Sequence, residues 1–455
     1  MSIASINPAT GELLVSFPAL TPEELDARLE CSAAAFALWK RTTFSERAAL
    51  LRNAADILEA DAERLGSLMT VEMGKPVRAA MDEVLKSAKG CRFYAEHAGE
   101  YLADANNIPT EAKQSYVRYE PMGAVLAIMP WNYPFWQVFR FAAPALMAGN
   151  VALLKHAPNV PQCALAMEDV FLRAGFPVGA FQTLLLETEQ VSAVISDARV
   201  HAVTLTGSDR AGRDVAASAG KALKKSVLEL GGSDPFIVMP TADLDKAVTT
   251  AVKSRAGNSG QSCIAAKRFI VARPVAEEFV SRFATAMAAL KVGDPLDPAT
   301  DLGPLARPDL VEQLDSQVRA TLAAGATVII GGAPLPGPGC YYPPTILVDI
   351  PVDSPAYRDE FFGPVASVFV VDSLQEALVI ANDTRFGLGA SLWSNDTSEQ
   401  QQFVSEIEAG QAFVNAMVAS DPRIPFGGIK ASGYGRELGV EGIREFVQIK
   451  TVWIA

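Results

Sequence analysis

Over residues 21–102 apolar positions recur at helical spacing, with Leu50, Leu51, Ala54, Ile57 and Leu58 forming one stripe. Thr21-Pro22-Glu23-Glu24 reads as a helix start, with a capping hydroxyl, proline at the first helical position and acids in the first turn. Gly74-Lys75-Pro76 divides the region into at least two helices. Residues 116–119 read as a short strand and Pro121-Met122-Gly123 as a turn. The pattern then changes. Ala124-Val125-Leu126-Ala127-Ile128-Met129 is a continuous apolar run stopped by Pro130, the signature of a buried parallel strand. Similar runs follow at 151–154, 181–185 and 202–205, separated by helical stretches such as 161–174. This alternation predicts a doubly wound α/β domain. A second alternating region begins near Gly231, with strands at 236–239, 268–271 and 328–330. The tail, 446–453, alternates like an edge strand. No internal repeat or low-complexity linker interrupts the chain.

The chain's 455 residues imply two or three domains. A net charge of -13 and the lack of a basic run argue against a nucleic-acid partner. The first eight residues lack a basic region followed by an apolar stretch, and residues 123–129 are too few to span a bilayer. The expectation is a cytoplasmic protein without a membrane partner. Five cysteines form no Cys-x-x-Cys pair, and the three histidines have no metal-ligand spacing, so no metal site is expected.

Gly260-Gln261-Ser262-Cys263-Ile264 presents a thiol in a small-residue loop, where a nucleophile can face a cleft; a small buried residue is the alternative. Cys31, Cys91 and Cys163 fall on helical patterns and read as core, and Cys340 lies in a turn without an activating neighbour. With so few histidines, a base other than imidazole is needed. Glu229, in Leu228-Glu229-Leu230-Gly231-Gly232, is a carboxylate inside an apolar run, and burial would raise its pKa toward general-base work; an ordinary capping glutamate fits that fragment too. Asn132 follows the apolar strand between two prolines, where its amide is able to donate to an oxyanion or to serve a turn. Thr206-Gly207-Ser208 ends another strand and opens a helix, suiting a pyrophosphate or a structural turn.

In chain order these fragments resemble the aldehyde dehydrogenase superfamily, from Ile6-Asn7-Pro8-Ala9-Thr10-Gly11 to Lys450-Thr451-Val452. The carriers are Pro130-Trp131-Asn132-Tyr133-Pro134, Leu154-Lys155, Thr206-Gly207-Ser208, Glu229-Leu230-Gly231-Gly232, Gly260-Gln261-Ser262-Cys263, Glu360-Phe361-Phe362-Gly363-Pro364 and Pro425-Phe426-Gly427-Gly428. The resemblance implies an α/β aldehyde dehydrogenase-like fold. A Rossmann-like cofactor domain would cover 1–102 and 122–230, a catalytic domain 231–430, and a small β oligomerisation element 103–121 and 431–455. It implies that Cys263 attacks an aldehyde, that Asn132 stabilises the oxyanion, and that Glu229 activates the water that hydrolyses a thioester. Lys155, Trp131, Pro158, Gly207, Ser208, Glu360 and Phe362 would hold the cofactor.

Within the family the chain looks like bacterial succinate-semialdehyde dehydrogenases, through His156-Ala157-Pro158-Asn159 and Gly231-Gly232-Ser233-Asp234-Pro235-Phe236. Arg140 and Ser420 match a carboxylate-binding arginine and a hydroxyl contact, so the implied substrate is succinate semialdehyde. Another ω-oxo acid such as glutarate semialdehyde, or a broad range of aldehydes, is the alternative. Two relatives' features are missing: position 257 is glycine, with Arg255 two residues away, and position 265 is alanine, which removes a redox pair with Cys263. Pro158 stands where NAD-specific relatives carry an acid, so NADP is the expected cofactor, with NAD possible. The edge-like segments 115–120 and 446–453 imply a homodimer or dimer of dimers. A non-catalytic protein on the same scaffold is the alternative from another class; Cys263, Glu229 and Asn132 together argue for an enzyme.

Overall fold

The computed structural model describes residues 3–106 and 109–455; positions 1 and 2, in the expected cofactor domain, and 107 and 108, in the expected oligomerisation element, lie outside the described residues. The helical region resolves into four helices, Pro22–Trp39, Phe44–Ala60, Ala62–Met73 and Val77–Tyr101. Thr21 caps the first as the sequence predicts, accepting from the Glu24 N–H while the Glu24 carboxylate accepts from its own. Gly74 closes the third in a left-handed conformation (φ 80°), which leaves Pro76 to start the fourth. The apolar stripe of Leu51, Ala54 and Leu58 is fully buried.

Two large sheets follow. In the first, the five parallel strands Phe181–Thr183, Val151–His156, Ala124–Met129, Val200–Thr206 and Lys225–Glu229 lie side by side in that order. Numbered along the chain this is 3-2-1-4-5, so the winding reverses between Ala124–Met129 and Val200–Thr206. A crevice opens at the carboxyl ends of the strands at such a reversal. The loops that leave these two strands carry Asn132 and Ser208. A sixth strand, Gly433–Tyr434, joins antiparallel to Lys225–Glu229, with Gly433 opposite Glu229. Gly433–Tyr434 thus adds to the edge of the first sheet before the chain reaches its last strand.

The second sheet has seven strands, parallel except for its edge strand Thr327–Ile330, which pairs antiparallel with Thr345–Val348. Its centre, Asp234–Val238 and Ala266–Ala272, is buried throughout, including the charged residues Asp234, Lys267 and Arg268 at the strand starts. The Cys263 loop leads into Ala266–Ala272. In the third sheet Val447–Ile454 pairs antiparallel along its length with Gln114–Pro121, and Ala105–Asn106 adds a short third strand. Ile449 and Trp453 on that tail are exposed.

Candidate active site

Cys263 stands on a wall shared by two cavities. The first, about 520 Å³, runs from the crevice of the first sheet and is bordered by Trp131, Asn132, Gly207, Ser208, Glu360 and Phe362. The second, about 350 Å³, is bordered by Arg140, Ser420, Trp136, Tyr133, Lys86 and Phe426. Seven of the residues read from the sequence thus meet around the first cavity, counting Cys263, and Arg140 and Ser420 meet it in the second. Lys155, Pro158 and Glu229 lie outside both walls, Glu229 directly preceding Leu230 on the first. Lys155 is buried near the end of Val151–His156, and the Pro158 carbonyl accepts the Ala4 N–H at 2.9 Å.

The Cys263 loop is held from several sides. Asn258 Nδ2 donates to Asn132 O at 2.7 Å and to Gln261 O at 3.0 Å, and Asn132 Nδ2 donates one hydrogen to the same Gln261 carbonyl at 3.0 Å. Gln137 Nε2 donates to Asn132 Oδ1 at 3.2 Å, which fixes the amide's orientation and leaves its second N–H free for a ligand. Buried Arg255 donates to Gly260 O at 2.5 Å and Ala266 O at 3.1 Å, clamping both ends of the loop. Lys267 Nζ donates to Ser262 O at 2.8 Å and Cys263 O at 2.6 Å and pairs with Glu360 at 3.1 Å. Burial pushes the Cys263 thiol up to about 12, and the positive charges of Lys267 and Arg140 oppose that shift.

Glu229 is buried, and neither of its carboxylate oxygens has a hydrogen-bond partner among the described residues. An ionisable group left in that state is uncommon and marks a functional position. Burial raises its pKa well above the carboxylate range, and the Glu437 charge adds to the shift, while Arg140 and Arg436 act against it. None of the three histidines borders either cavity. His156 is buried, holds Pro134 O through Nε2 at 3.1 Å, and accepts the Ala157 N–H at Nδ1 at 2.8 Å. Burial pushes its pKa down to about 4, so it stays neutral and ties the Asn132 loop to the neighbouring strand.

The first cavity fits a dinucleotide. It opens at the topological reversal, Ser208 caps the helix Asp209–Lys221 at its end, and a Cβ on Gly231 would collide with the Glu360 carboxylate. Trp131 and Phe362 flank it edge to face at 5.8 Å. The Gly207 N–H is already taken by Glu229 O at 3.0 Å, so that glycine shapes the turn.

Arg140 is buried, with its guanidinium over the Phe426 ring at 4.6 Å and its charge met by an ion pair with Glu437. Ser420 Oγ accepts from Lys86 Nζ at 2.7 Å and Trp136 Nε1 at 2.9 Å. Lys86, Lys267 and Glu437 were not singled out by sequence reasoning, and Arg255 stood out only as the arginine nearest position 257. A signal existed for Lys267, since Lys267-Arg268 puts two cations at the head of a buried strand, where charges need partners.

A family model described as the aldehyde dehydrogenase family matches residues 1–452. The chain is 57% identical over 455 residues to a probable NADP(+) succinate-semialdehyde dehydrogenase of Synechocystis sp., covering 100% of both. It is 55% identical over 457 residues, again covering 100% of both, to succinate-semialdehyde dehydrogenase [NADP(+)] 1 of Mycobacterium tuberculosis. Among solved structures it matches succinic semialdehyde dehydrogenase from Streptococcus pyogenes in complex with NADP+, with a TM-score of 0.97, 38% identity and 99% of each chain covered.

Proposed function

The chain belongs to the aldehyde dehydrogenase family, and on that premise we propose that it oxidises succinate semialdehyde to succinate with NADP+, NAD+ serving less well. The observation that carries this reading is the position of Cys263 between a dinucleotide-sized cleft and a second cavity with cationic side chains. The full-length relatives named for that substrate and cofactor support it.

The aldehyde enters the second cavity, and Cys263 Sγ, its proton released to solvent, forms a bond to the carbonyl carbon as the C=O π pair moves onto oxygen. The resulting oxyanion of the thiohemiacetal takes the free N–H of Asn132 and the backbone N–H of Cys263, donors set before the charge develops. Trp131, Ser208, Glu360 and Phe362 would hold NADP+ in the first cavity, with Lys155, Gly207 and Pro158 shaping the approach, and the bound cofactor would supply an acceptor for the hydride on this carbon. Cys263 then carries a thioester. Glu229 removes a proton from a water molecule whose oxygen attacks the thioester carbon, the C–S bond breaks, and succinate leaves. A raised pKa makes the ionised Glu229 a stronger base for that step.

The same reading places the enzyme in the cytoplasm; no helix among the described residues is long and apolar enough to cross a membrane. It makes the protein a homodimer or dimer of dimers, because Val447–Ile454 leaves Ile449 and Trp453 exposed beside a strand edge. Light scattering at micromolar concentration checks this, and a monomer would exclude it. The function is tested by a panel of succinate semialdehyde, glutarate semialdehyde and butanal with each cofactor. Succinate semialdehyde with NADP+ should give the highest kcat/KM. A better kcat/KM for butanal would reject the reading.

A further inference from the structure

The second cavity has to distinguish one aldehyde from another, and its charges differ in how they are compensated. Arg140 is neutralised by Glu437, and Glu83 by Lys75. Glu83 is further occupied, because its Oε1 accepts the N–H groups of Phe135 and Trp136 at 2.9 and 3.0 Å. Asp82 and Lys253 are exposed at the rim. Asp421, just beyond Ser420, pairs with Arg423 at 2.6 Å. Lys86 is left. It is half-buried on the helix Val77–Tyr101, and no ion pair holds it among the described residues. Its ammonium lies 4.4 Å from the Trp136 ring centroid and 2.7 Å from Ser420 Oγ.

Ser420 sharpens the picture. A hydroxyl has two lone pairs and one hydrogen. Both lone pairs are filled, by Lys86 Nζ and by Trp136 Nε1. The O–H is therefore left to donate to something in the cavity. An ammonium without a counter-ion and a hydroxyl with a free proton, side by side, form a receptor for a carboxylate, one oxygen on each.

We propose that Lys86 is the specificity-determining cation of this enzyme: with the Ser420 hydroxyl it takes the distal carboxylate of an ω-oxo acid whose aldehyde carbon sits at Cys263. Arg140, held by Glu437 and Phe426, borders the same cavity. The inference rests on the functional reading above and names the residue that gives that reading its substrate selectivity.

Burial and the neighbouring Arg140 push Lys86 down to about 8, with Lys75 adding to the shift and Glu83 and Asp421 opposing it. The ammonium is thus present below about pH 8 and lost above it. The ratio of kcat/KM for succinate semialdehyde to that for butanal cancels the ionisation of Cys263, which both substrates need. Because kcat/KM reports the free enzyme, this ratio should fall with rising pH above about 8 in the wild type and stay level in Lys86→Arg.

The test compares wild type, Lys86→Met and Lys86→Arg with both aldehydes and NADP+. Lys86→Met should reduce kcat/KM for succinate semialdehyde about a hundredfold more than for butanal, mainly through KM, the size expected for a lost charge-assisted contact. Lys86→Arg should recover most of the difference. Equal losses on both aldehydes would mean that Lys86 only supports the fold, and would overturn the proposal. A selectivity ratio that survives in Lys86→Met would also overturn it while leaving the succinate semialdehyde reading intact. A wild type indifferent to the carboxylate would remove both. Should Lys86→Met not fold, the wild-type pH profile decides, since a ratio that stays flat through pH 9 contradicts the role.

Discussion

Gly427 lies so close to Glu229 that a Cβ added to it would come within 2.7 Å of Glu229 Oε1. The glycine thus leaves the buried carboxylate its room, and the same added carbon would stand 2.9 Å from both Arg436 Cδ and Gly435 O. Gly427→Ala should displace the base without touching the thiol. The expected outcome is a steady-state rate reduced by about tenfold or more, with a smaller loss in the first-turnover burst of reduced cofactor and about 1–3 kcal/mol lower stability from overpacking. Stopped-flow absorbance and thermal melting measure the two effects. A burst lost in step with the steady state would show that Gly427 serves acylation instead.

Arg255 joins Gly260 O and Ala266 O on either side of the nucleophile. Arg255→Met keeps much of the volume and leaves two buried carbonyls unpaired. A loss of about 2–4 kcal/mol in unfolding free energy is expected, with kcat falling because the loop no longer holds Cys263 in place. Arg255→Lys should recover only part, since an ammonium lacks the planar fork. Wild-type stability in the methionine variant, measured by urea titration, would contradict the clamp.

Much of this site was legible in the sequence because its parts are local. Cys263, Asn132 and Glu229 each sit in a short segment whose residue types suit one chemical task, and the apolar runs at 124–129 and 202–205 correctly announced the strands that open the cleft. The residues that escaped are those defined by distant partners. Lys86 meets Ser420 across 334 positions of chain, and within its own helix it is one more lysine. Arg140 stood out in sequence, but its ion pair with Glu437 had no local sign. Gly433–Tyr434 is too short for any periodicity, and only its pairing with Lys225–Glu229 reveals it as a strand.

Cofactor choice should respond to the loop after Lys155. Pro158 neither repels a 2′-phosphate nor accepts from a ribose hydroxyl. Pro158→Glu adds a carboxylate that repels the phosphate, so the ratio of kcat/KM for NADP+ to that for NAD+ should fall about tenfold or more. Initial rates at one saturating aldehyde concentration give the ratio. An unchanged ratio would move the selectivity determinant elsewhere.

Asp234 makes a separate prediction about stability. Burial pushes its folded-state pKa up to about 7, against 3.8 for the free side chain. The unfolded chain therefore releases this proton near pH 4, while the folded protein keeps it until about pH 7. Its contribution to stability declines across that interval as pH rises. Asp234→Asn cannot titrate, so its Tm relative to wild type should climb from pH 4 to pH 7. A constant difference across the interval would mean that the carboxyl ionises normally in the fold.

The most direct test of the central claim is intact-protein and peptide mass spectrometry of Glu229→Gln after mixing with succinate semialdehyde and NADP+. Glutamine keeps the shape of the side chain and cannot remove a proton from water, so acylation should proceed and hydrolysis should stall. A burst of reduced cofactor of about one equivalent per site is expected, with one succinyl group found on the peptide that carries Cys263 and absent from Cys263→Ala. A burst without that adduct, or an adduct on another residue, would contradict the claim.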